Sequence, residues 1–149
     1  MNPVDEFTKK FTQEKVSGVM QLKRNFYQAS QEVMMTKEKI KTEPFAIGTF
    51  LGSIHPFHPS AHLLDWLGGR TERFVVLDNK SSWLFLCGRD VFPDSVVQQT
   101  VSEGFALVKN ERNEVLGYGE FTTTKNARNH KISIKNVFDK GDFLRRERR

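Results

Sequence analysis

Hydrophobic residues near the amino terminus recur at the spacing of one helix face. Val4, Phe7 and Phe11 lie at positions i, i+3 and i+7, as expected when one side of a helix is buried. Asn2 and Pro3 precede them, and this pair is typical of a helix N-cap followed by proline in the first turn. The pattern predicts a short helix at the start of the chain.

The segment that follows has a weaker, strand-like pattern. We interpret residues 19–28 and 32–36 as two modest strands, joined by a polar hairpin turn at residues 29–31. Residues 37–41 are expected to add a helical turn, and residues 42–44 (Thr-Glu-Pro) to form a linker. This part of the chain therefore predicts a small lobe that mixes helix and strand.

Beyond residue 45 the apolar runs become short and are separated by glycines and polar turns. Residues 45–51 predict a strand that ends at Gly52, and residues 59–67 predict a helix that ends at Gly68 and Gly69. The helix residues expected to face inward are Ala61, Leu64 and Leu67. Further strands are predicted at residues 74–77, 83–87, 105–108, 115–121 and 131–137, with a polar turn at residues 78–82.

Many short strands separated by turn signals are typical of a small barrel or sandwich. The length of 149 residues leaves room for one ordinary domain or two small ones. We therefore predict an α+β fold. A small amino-terminal α/β domain is expected over residues 1–44, followed by a mixed or antiparallel β pseudo-barrel with short helices over residues 45–149.

Basic residues are concentrated at the carboxy-terminal end of the chain. Residues 122–149 contain nine basic and three acidic side chains, a net charge of +6, whereas the rest of the chain contains 14 basic and 15 acidic ones, a net charge of −1. The positive excess therefore lies in one segment, which favours a polyanionic partner such as nucleic acid or an acidic membrane surface. A solvated tail that keeps the protein soluble is the alternative interpretation.

The composition also narrows the class of protein. No apolar run approaches the roughly 20 residues of a membrane-spanning helix, and the first residues lack the regions of a signal peptide. Cys87 is the single cysteine, so we expect no internal disulfide and a reducing, cytoplasmic location. Its place in a predicted apolar strand favours a small buried side chain over a nucleophile.

Three histidines, His55, His58 and His62, have a spacing that superficially suits zinc. Pro56 and Pro59 interrupt the stretch, and no cysteine or carboxylate at ligand spacing completes the set, so loop histidines are favoured and no cofactor is expected. No Walker, dinucleotide, triad or paired-carboxylate pattern occurs in the sequence. An active site would have to be assembled from residues without a sequence signature.

The sharpest local motif is Phe-Leu-Cys-Gly-Arg-Asp-Val-Phe-Pro-Asp-Ser-Val at residues 85–96. Within it, Gly88 allows the backbone to approach another backbone or a phosphate closely. Arg89 beside it has the reach to contact a phosphate or to pair with a neighbouring aspartate. Together with Gly-Tyr-Gly at residues 117–119, the motif resembles the PUA domain, a small β-barrel found in pseudouridine synthases and archaeosine transglycosylases.

A longer series of segments narrows this resemblance. The chain resembles a short, archaeal-type member of the Nip-seven family of ribosome-biogenesis factors, on segments that occur in order at residues 47–52, 63–67, 82–88 and 139–145. The resemblance implies a small α/β domain before a PUA domain, RNA binding without catalysis, and assistance to large-subunit ribosomal RNA processing. It also implies contact of the amino-terminal lobe with other ribosome-assembly proteins, although residues 1–44 are shorter than the usual amino-terminal domain of that family.

The family's RNA contacts lie at basic positions of the PUA domain, and the resemblance carries them onto a few residues here. Lys125 and Arg128 match the loop after the Gly-Tyr-Gly strand, Arg145 matches the terminal segment, and Arg146 and Lys131 lie beside these positions. Arginine and lysine would neutralise phosphates and release counterions. The full set of predicted RNA-binding residues is Gly88, Arg89, Tyr118, Lys125, Arg128, Lys131, Arg145 and Arg146.

Aromatic residues near these cations have two possible roles, stacking on unpaired bases or packing in the core. The candidates are Phe92, Tyr118, Phe138 and Phe143. Three other functions stay open at this stage. They are a PUA module acting in trans with an RNA-modification enzyme or on transfer RNA, a basic adaptor that docks on an acidic protein, and a small enzyme without a sequence signature.

Overall fold

The chain folds into two units in a computed structural model that describes residues 2–39, 48–126 and 128–147, with the side chains of residues 146 and 147 outside the description. One unit comprises Met1–Arg70 and the other Thr71–Arg149. Each unit has its own sheet, and together they give the mixed α+β class that the sequence predicts.

The first unit begins with the predicted helix, α1 (Pro3–Thr8). The side chain of Asn2 caps it by accepting a hydrogen bond from the amide of Asp5 at 2.8 Å. Four antiparallel strands follow in the sheet order β1-β2-β3-β4. Their bounds are β1 Val19–Leu22, β2 Asn25–Gln28, β3 Thr49–Ser53 and β4 His58–Pro59. Two helices complete the unit, α2 (Gln31–Lys39) and α3 (Ala61–Gly68).

The hairpin of this unit lies earlier in the chain than the sequence pattern predicts. The turn falls at residues 23–24, where Lys23 takes a positive φ of 55°, so both strands fit within residues 19–28. The predicted strand at 32–36 is wrong, because this segment belongs to α2. Its first turn is fixed by Ser30, whose hydroxyl accepts from the amide of Val33 at 3.2 Å. The predicted linker at 42–44 lies outside the described residues.

The second helix prediction in this unit is confirmed. Ser60 caps α3 by accepting from the amide of Leu63 at 3.0 Å, and Leu63, Leu64 and Leu67 are fully buried. Ala61, which was expected to face inward, is only partly buried. The strand predicted at 45–51 appears as β3 from residue 49, and its residues 45–47 lie outside the described part.

The boundary between the units differs from the predicted one at residues 44–45. Strand β3 pairs with β2 and β4 pairs with β3, so residues 49–59 complete the sheet of the first unit. Hydrogen bonding between segments that are distant in sequence sets this boundary. The chain consequently passes from the first unit to the second between residues 70 and 71.

The second unit contains a five-stranded mixed sheet with the order β6-β5-β7-β8-β9. Its strands are β5 Phe74–Leu77, β6 Val96–Gln99, β7 Phe105–Lys109, β8 Val115–Phe121 and β9 Ile134–Asp139. Strands β5 and β7 are parallel, and the other neighbours are antiparallel. Val91, just before β6, bridges to Ile134 of the opposite edge strand. The sheet is thereby drawn around toward closure, which gives the predicted pseudo-barrel.

Residues 79–86 form a helix, α4 (Asn79–Leu86), and not the predicted turn followed by a strand. Asp78 caps it by accepting from the amide of Ser81 at 2.7 Å, and this hydrogen bond lowers the pKa of the Asp78 carboxyl. Phe85 then faces the core at 1% exposure, while Trp83 is 66% exposed. Cys87 caps the helix end and is exposed, so the prediction of a buried thiol is wrong.

The carboxy-terminal end of the second unit is a strand and a short helix. The strand predicted at 131–137 begins three residues later, as β9, and helix α5 (Gly141–Glu147) follows it. The core of this unit consists of Val75, Leu77, Phe85, Val91, Ala106, Val108, Leu116 and Ile134. The predicted RNA-binding residues lie around this core, in β8, in the connection between β8 and β9, just after α4, and in α5.

Candidate nucleic-acid interface

The connection between β8 and β9 forms a second, smaller hairpin, which we call the basic hairpin (residues 122–133). The amide of Thr122 donates to the carbonyl of Ser133 at 3.1 Å, and the amide of Ile132 donates to the carbonyl of Thr124 at 3.1 Å. These bonds hold Lys125 opposite Lys131 in an antiparallel bridge. Two residues that are six positions apart in the sequence are therefore neighbours at the surface.

Asn126 organises the tip of the basic hairpin. Its side-chain oxygen accepts from the amide of Arg128 at 3.0 Å and from the amide of His130 at 2.8 Å, as in an Asx turn. Its own amide donates to the carbonyl of His130 at 2.8 Å, and Asn129 takes a positive φ of 65°. The backbone amides of Arg128 and His130 are thus both held by the side chain of Asn126.

The cations of the basic hairpin face solvent. Lys125, Arg128 and Lys131 are all exposed, and residues 122–133 contain no acidic side chain. In the described part of the chain none of these three residues has an ion-pair partner within 4.0 Å. Like charges directly opposite each other on paired strands repel. The arrangement therefore favours binding of an anion between or beside the two lysines.

Arg145 lies in a different environment. It belongs to α5, and its guanidinium reaches the carboxy-terminal end of α4. Its guanidinium donates to the carbonyl of Leu86 at 2.8 Å and to both carboxylate oxygens of Asp139 at 3.1 and 3.2 Å. The side chain of Asp139 is 4% exposed. The hydrogen bond with Asp139 raises the pKa of Arg145 above its ordinary value. Arg145 thus joins α5 to α4 and neutralises a buried carboxylate.

Asn136, which was not among the predicted site residues, extends this polar network. Its side-chain amide donates to the carbonyls of Phe85 at 3.0 Å and Arg89 at 3.3 Å, and to Asp139 at 3.2 Å. Its backbone amide donates to the carboxylate of Asp90 at 2.8 Å. The last carbonyls of a helix have no partner within the helix, and Asn136 and Arg145 supply donors to them. The available signal was an asparagine on the strand face that also carries Ile134 and Phe138.

The open side of Gly88 faces this network. Gly88 has a φ of +93°, and a side chain built there would lie 3.6 Å from the guanidinium of Arg145. Glycine is favoured at such a backbone angle. The group that approaches Gly88 in this structure is therefore Arg145. Arg89, the next residue, is exposed, and the side chain of Arg146 lies outside the described part of the chain.

The aromatic candidates divide between interior and surface. Tyr118 is 7% exposed and packs 6.3 Å from the ring of Phe105, and its burial raises its pKa to about 12. Phe138 is 9% exposed and meets the ring of Phe143 edge-on at 5.5 Å. Tyr118 and Phe138 therefore pack in the core, which is the second of the two roles considered for them.

Exposed aromatic rings lie elsewhere in the second unit. Phe92 is 36% exposed, and Trp83 on α4 is 66% exposed. Trp83 lies one helical turn after the exposed Lys80, a pairing that would suit a stacked base with its phosphate. Trp83 was not predicted as a surface residue, because residues 83–87 fit the pattern of a strand. Asp78 is a residue type favoured at helix N-caps. A helix that starts after Asp78 would have placed Trp83 on a helix surface.

The described residues contain no group of three or more histidine, cysteine, aspartate or glutamate side chains placed to hold a metal ion. His55, His58 and His62 are all described, and they do not form such a group. Within the same ranges, no helix has the length and apolar character needed to cross a membrane.

Comparison with known proteins gives a consistent assignment. The chain is 34% identical over 107 residues to a UPF0113 protein of Aeropyrum pernix, covering 68% of this chain and 58% of that protein. It is 28% identical over 89 residues to a UPF0113 protein of Archaeoglobus fulgidus, covering 56% of this chain and 51% of that protein. The chain thus spans between half and three fifths of the length of these curated relatives.

The fold has a solved counterpart. A conserved PUA domain protein from Thermoplasma acidophilum superposes with a TM-score of 0.56 at 16% identity, over 99% of this chain and 96% of that one. PUA domains typically bind RNA. Residues 73–148, which include the whole sheet of the second unit, match the UPF0113 PUA domain family, and the chain therefore belongs to that family.

Proposed function

We propose that this protein binds RNA through the basic hairpin of its PUA domain. The observation that carries the proposal is the pairing of Lys125 with Lys131, beside Arg128, in a segment without any acidic residue. Two opposed ammonium groups repel each other in the free protein, and a phosphate between or beside them relieves that repulsion. Binding of this kind supplies affinity from the RNA backbone and depends strongly on salt.

At a finer level, we propose that the RNA is a ribosomal RNA or its precursor. The support is the resemblance of segments in both units to the Nip-seven family of ribosome-biogenesis factors. On this proposal the protein acts by binding and not by catalysis, in the cytoplasm, and the first unit contacts other ribosome-assembly proteins.

The test of RNA binding measures the affinity of the full chain for a fluorescein-labelled single-stranded RNA at several salt concentrations. We expect the logarithm of the affinity to fall linearly with the logarithm of the salt concentration, by about 0.7 per neutralised phosphate. An uncharged peptide nucleic acid of the same sequence is the matched probe and should not bind. Equal binding of the two probes would contradict the proposal.

The test of the RNA's identity crosslinks the protein to RNA in cells and sequences the attached fragments. Enrichment of ribosomal RNA precursors supports a role in ribosome assembly. Enrichment of transfer RNA would contradict that role and favour a PUA module acting in trans with a modification enzyme. A variant with Lys125, Arg128 and Lys131 changed to alanine serves as the control, since specific fragments should be lost from it.

A further inference from the structure

A cleft of about 680 Å³ lies beside the root of the basic hairpin. Three separate parts of the second unit line it: Pro93 before β6, the β6–β7 connection with Glu103, and the hairpin root with Phe121 and Lys131. The volume lies within the range of roughly 300–1,000 Å³ that is usual for small-molecule sites. The cleft is therefore large enough to hold a small molecule or a single small group of a larger ligand.

The apolar part of the cleft is a fixed surface. Phe121 is partly buried and packs against the core of the second unit, so its ring has little freedom. Pro93 contributes a second apolar surface without flexible bonds. A rigid aromatic ring that is accessible on one side suits the flat face of an unpaired base.

The polar part of the cleft includes one acidic side chain, Glu103, and one basic side chain, Lys131. The β6–β7 connection is anchored by Arg73, whose guanidinium donates to the backbone carbonyls of Glu103 and, at 2.9 Å, of Phe105. Glu103 is exposed, and among the described residues its carboxylate has no ion-pair partner. Lys131 lines the same cleft from the basic hairpin. An acceptor on a fixed loop thus lies in the same cleft as a cation that suits phosphate.

Resting on the proposed RNA binding, we propose that this cleft takes one unpaired guanine of the bound RNA. A carboxylate offers two acceptors and no donor. Guanine is the base that presents two donors side by side, at its N1 and its 2-amino group, and it can satisfy both oxygens of Glu103 at once. The base would lie against Phe121, and Lys131 would contact an adjacent phosphate.

The experiment compares the full chain on fluorescein-labelled RNA decamers of uridine with and without a single central guanosine. We expect the guanosine to tighten binding about fivefold or more, since a good bidentate contact has that effect or a larger one. Central adenosine or cytidine should give a smaller gain, and inosine, which lacks the 2-amino group, should lose most of the gain. Equal affinity for all the decamers would overturn the guanine site.

Two variants locate the preference in the cleft. Glu103→Gln should remove the guanosine preference while leaving affinity for the uridine decamer within about twofold, and Ser102→Phe, which fills the cleft from an exposed position outside the basic hairpin, should do the same. The matched control is Glu111→Gln, an exposed acid in the β7–β8 turn at the far end of β7. A preference that survives both cleft variants overturns the site.

The same measurements separate this inference from the proposed function. If no decamer binds in a salt-dependent way, RNA binding itself fails and the guanine site fails with it. If the uridine decamer binds and loses affinity when Lys125 and Arg128 are changed to alanine, but guanosine adds nothing, RNA binding stands and the guanine site alone is overturned.

Discussion

Cations near the two ends of the basic segment, residues 122–149, lie in opposite environments. In the basic hairpin, Lys125, Arg128 and Lys131 are exposed and have no carboxylate within ion-pair distance among the described residues. The guanidinium of Arg145, by contrast, donates hydrogen bonds to the buried Asp139 and to the carbonyl of Leu86 at the end of α4. The charge of a segment therefore does not tell which of its cations can meet a phosphate, because the partner of each one decides that.

Among the cations of this segment, the largest expected effect is on stability, from Arg145→Ala. Removing the guanidinium leaves Asp139 buried without its partner, and we expect a loss of about 2–4 kcal/mol in the free energy of unfolding. Urea unfolding followed by circular dichroism measures it. Arg112→Ala, which removes an exposed arginine from the β7–β8 turn, is the control and should change stability by less than about 0.5 kcal/mol. If both variants had the same free energy of unfolding, the proposed structural role of Arg145 would be contradicted.

The next effect is on RNA affinity, from changing Lys125, Arg128 and Lys131 together to alanine. We expect at least about a tenfold loss of affinity at low salt, because three phosphate contacts are lost. Stability should be unchanged or slightly improved, since the repulsion between Lys125 and Lys131 is also removed. Fluorescence anisotropy with single-stranded RNA measures the affinity.

The matched control for that experiment removes three exposed lysines of the first unit, Lys9, Lys15 and Lys39. It makes the same change in net charge at a different place. A similar loss of affinity in both triple variants would mean that net charge, and not the basic hairpin, governs binding.

A smaller effect concerns Tyr118, which the sequence placed among the RNA contacts and the structure places in the core. Its pKa is raised to about 12 from 10.0. A raised folded-state pKa means that the neutral ring stabilises the fold below pH 10, and that this contribution is lost as pH rises from 10 toward 12. The loss should reach about 1.4 kcal/mol by pH 11.

Tyr118→Phe tests that expectation, because it removes the ionisable hydroxyl and keeps the ring. The variant should lack this part of the alkaline loss of stability, measured by urea unfolding at pH 8 and pH 11, and should bind RNA as tightly as the wild type at pH 7. A different result would make Tyr118 an RNA contact. In that case Tyr118→Phe would bind RNA more weakly than the wild type at pH 7 and would lose as much stability as the wild type between pH 8 and pH 11.

The smallest expected effect is from Trp83→Ala. Trp83 is 66% exposed on α4, so its removal should change stability by less than about 0.5 kcal/mol. Phe85→Ala, two residues away and fully buried, should cost about 3–5 kcal/mol. Thermal or urea unfolding of the two variants decides between the helix and the predicted strand. If Trp83→Ala cost as much as Phe85→Ala, the assignment of α4 would be contradicted.

Much of the fold was predictable where the pattern is local. Helix α1 follows from apolar spacing with an N-cap residue, and α3 follows from apolar spacing ended by two glycines. Strands β5, β7 and β8 follow from short apolar runs between turns. Helix α4 was missed because four consecutive apolar residues, 83–86, fit a strand and a helix equally well. The boundary between the units was missed because the pairing of β2 with β3 joins distant segments.

The candidate site was predictable in part for the same reason. The excess of basic residues pointed to residues 122–149, and the family resemblance singled out Lys125 and Arg128 within them. The pairing of Lys125 with Lys131 was not predicted. The environment of Arg145 was not predictable, because its acceptor at Leu86 is 59 residues away in the sequence. The burial of Tyr118 follows from packing around the sheet, which a glycine-rich motif does not reveal.

The most direct measurement of the central claim is the salt dependence of RNA affinity for the wild type, the hairpin triple variant and Arg145→Ala, at a temperature where all three are folded. We predict that the slope of log affinity against log salt becomes shallower by about two for the triple variant, at about 0.7 per lost contact. We predict no change in slope for Arg145→Ala. An unchanged slope for the triple variant, with a shallower one for Arg145→Ala, would contradict the claim that the basic hairpin binds the RNA and that Arg145 supports the fold.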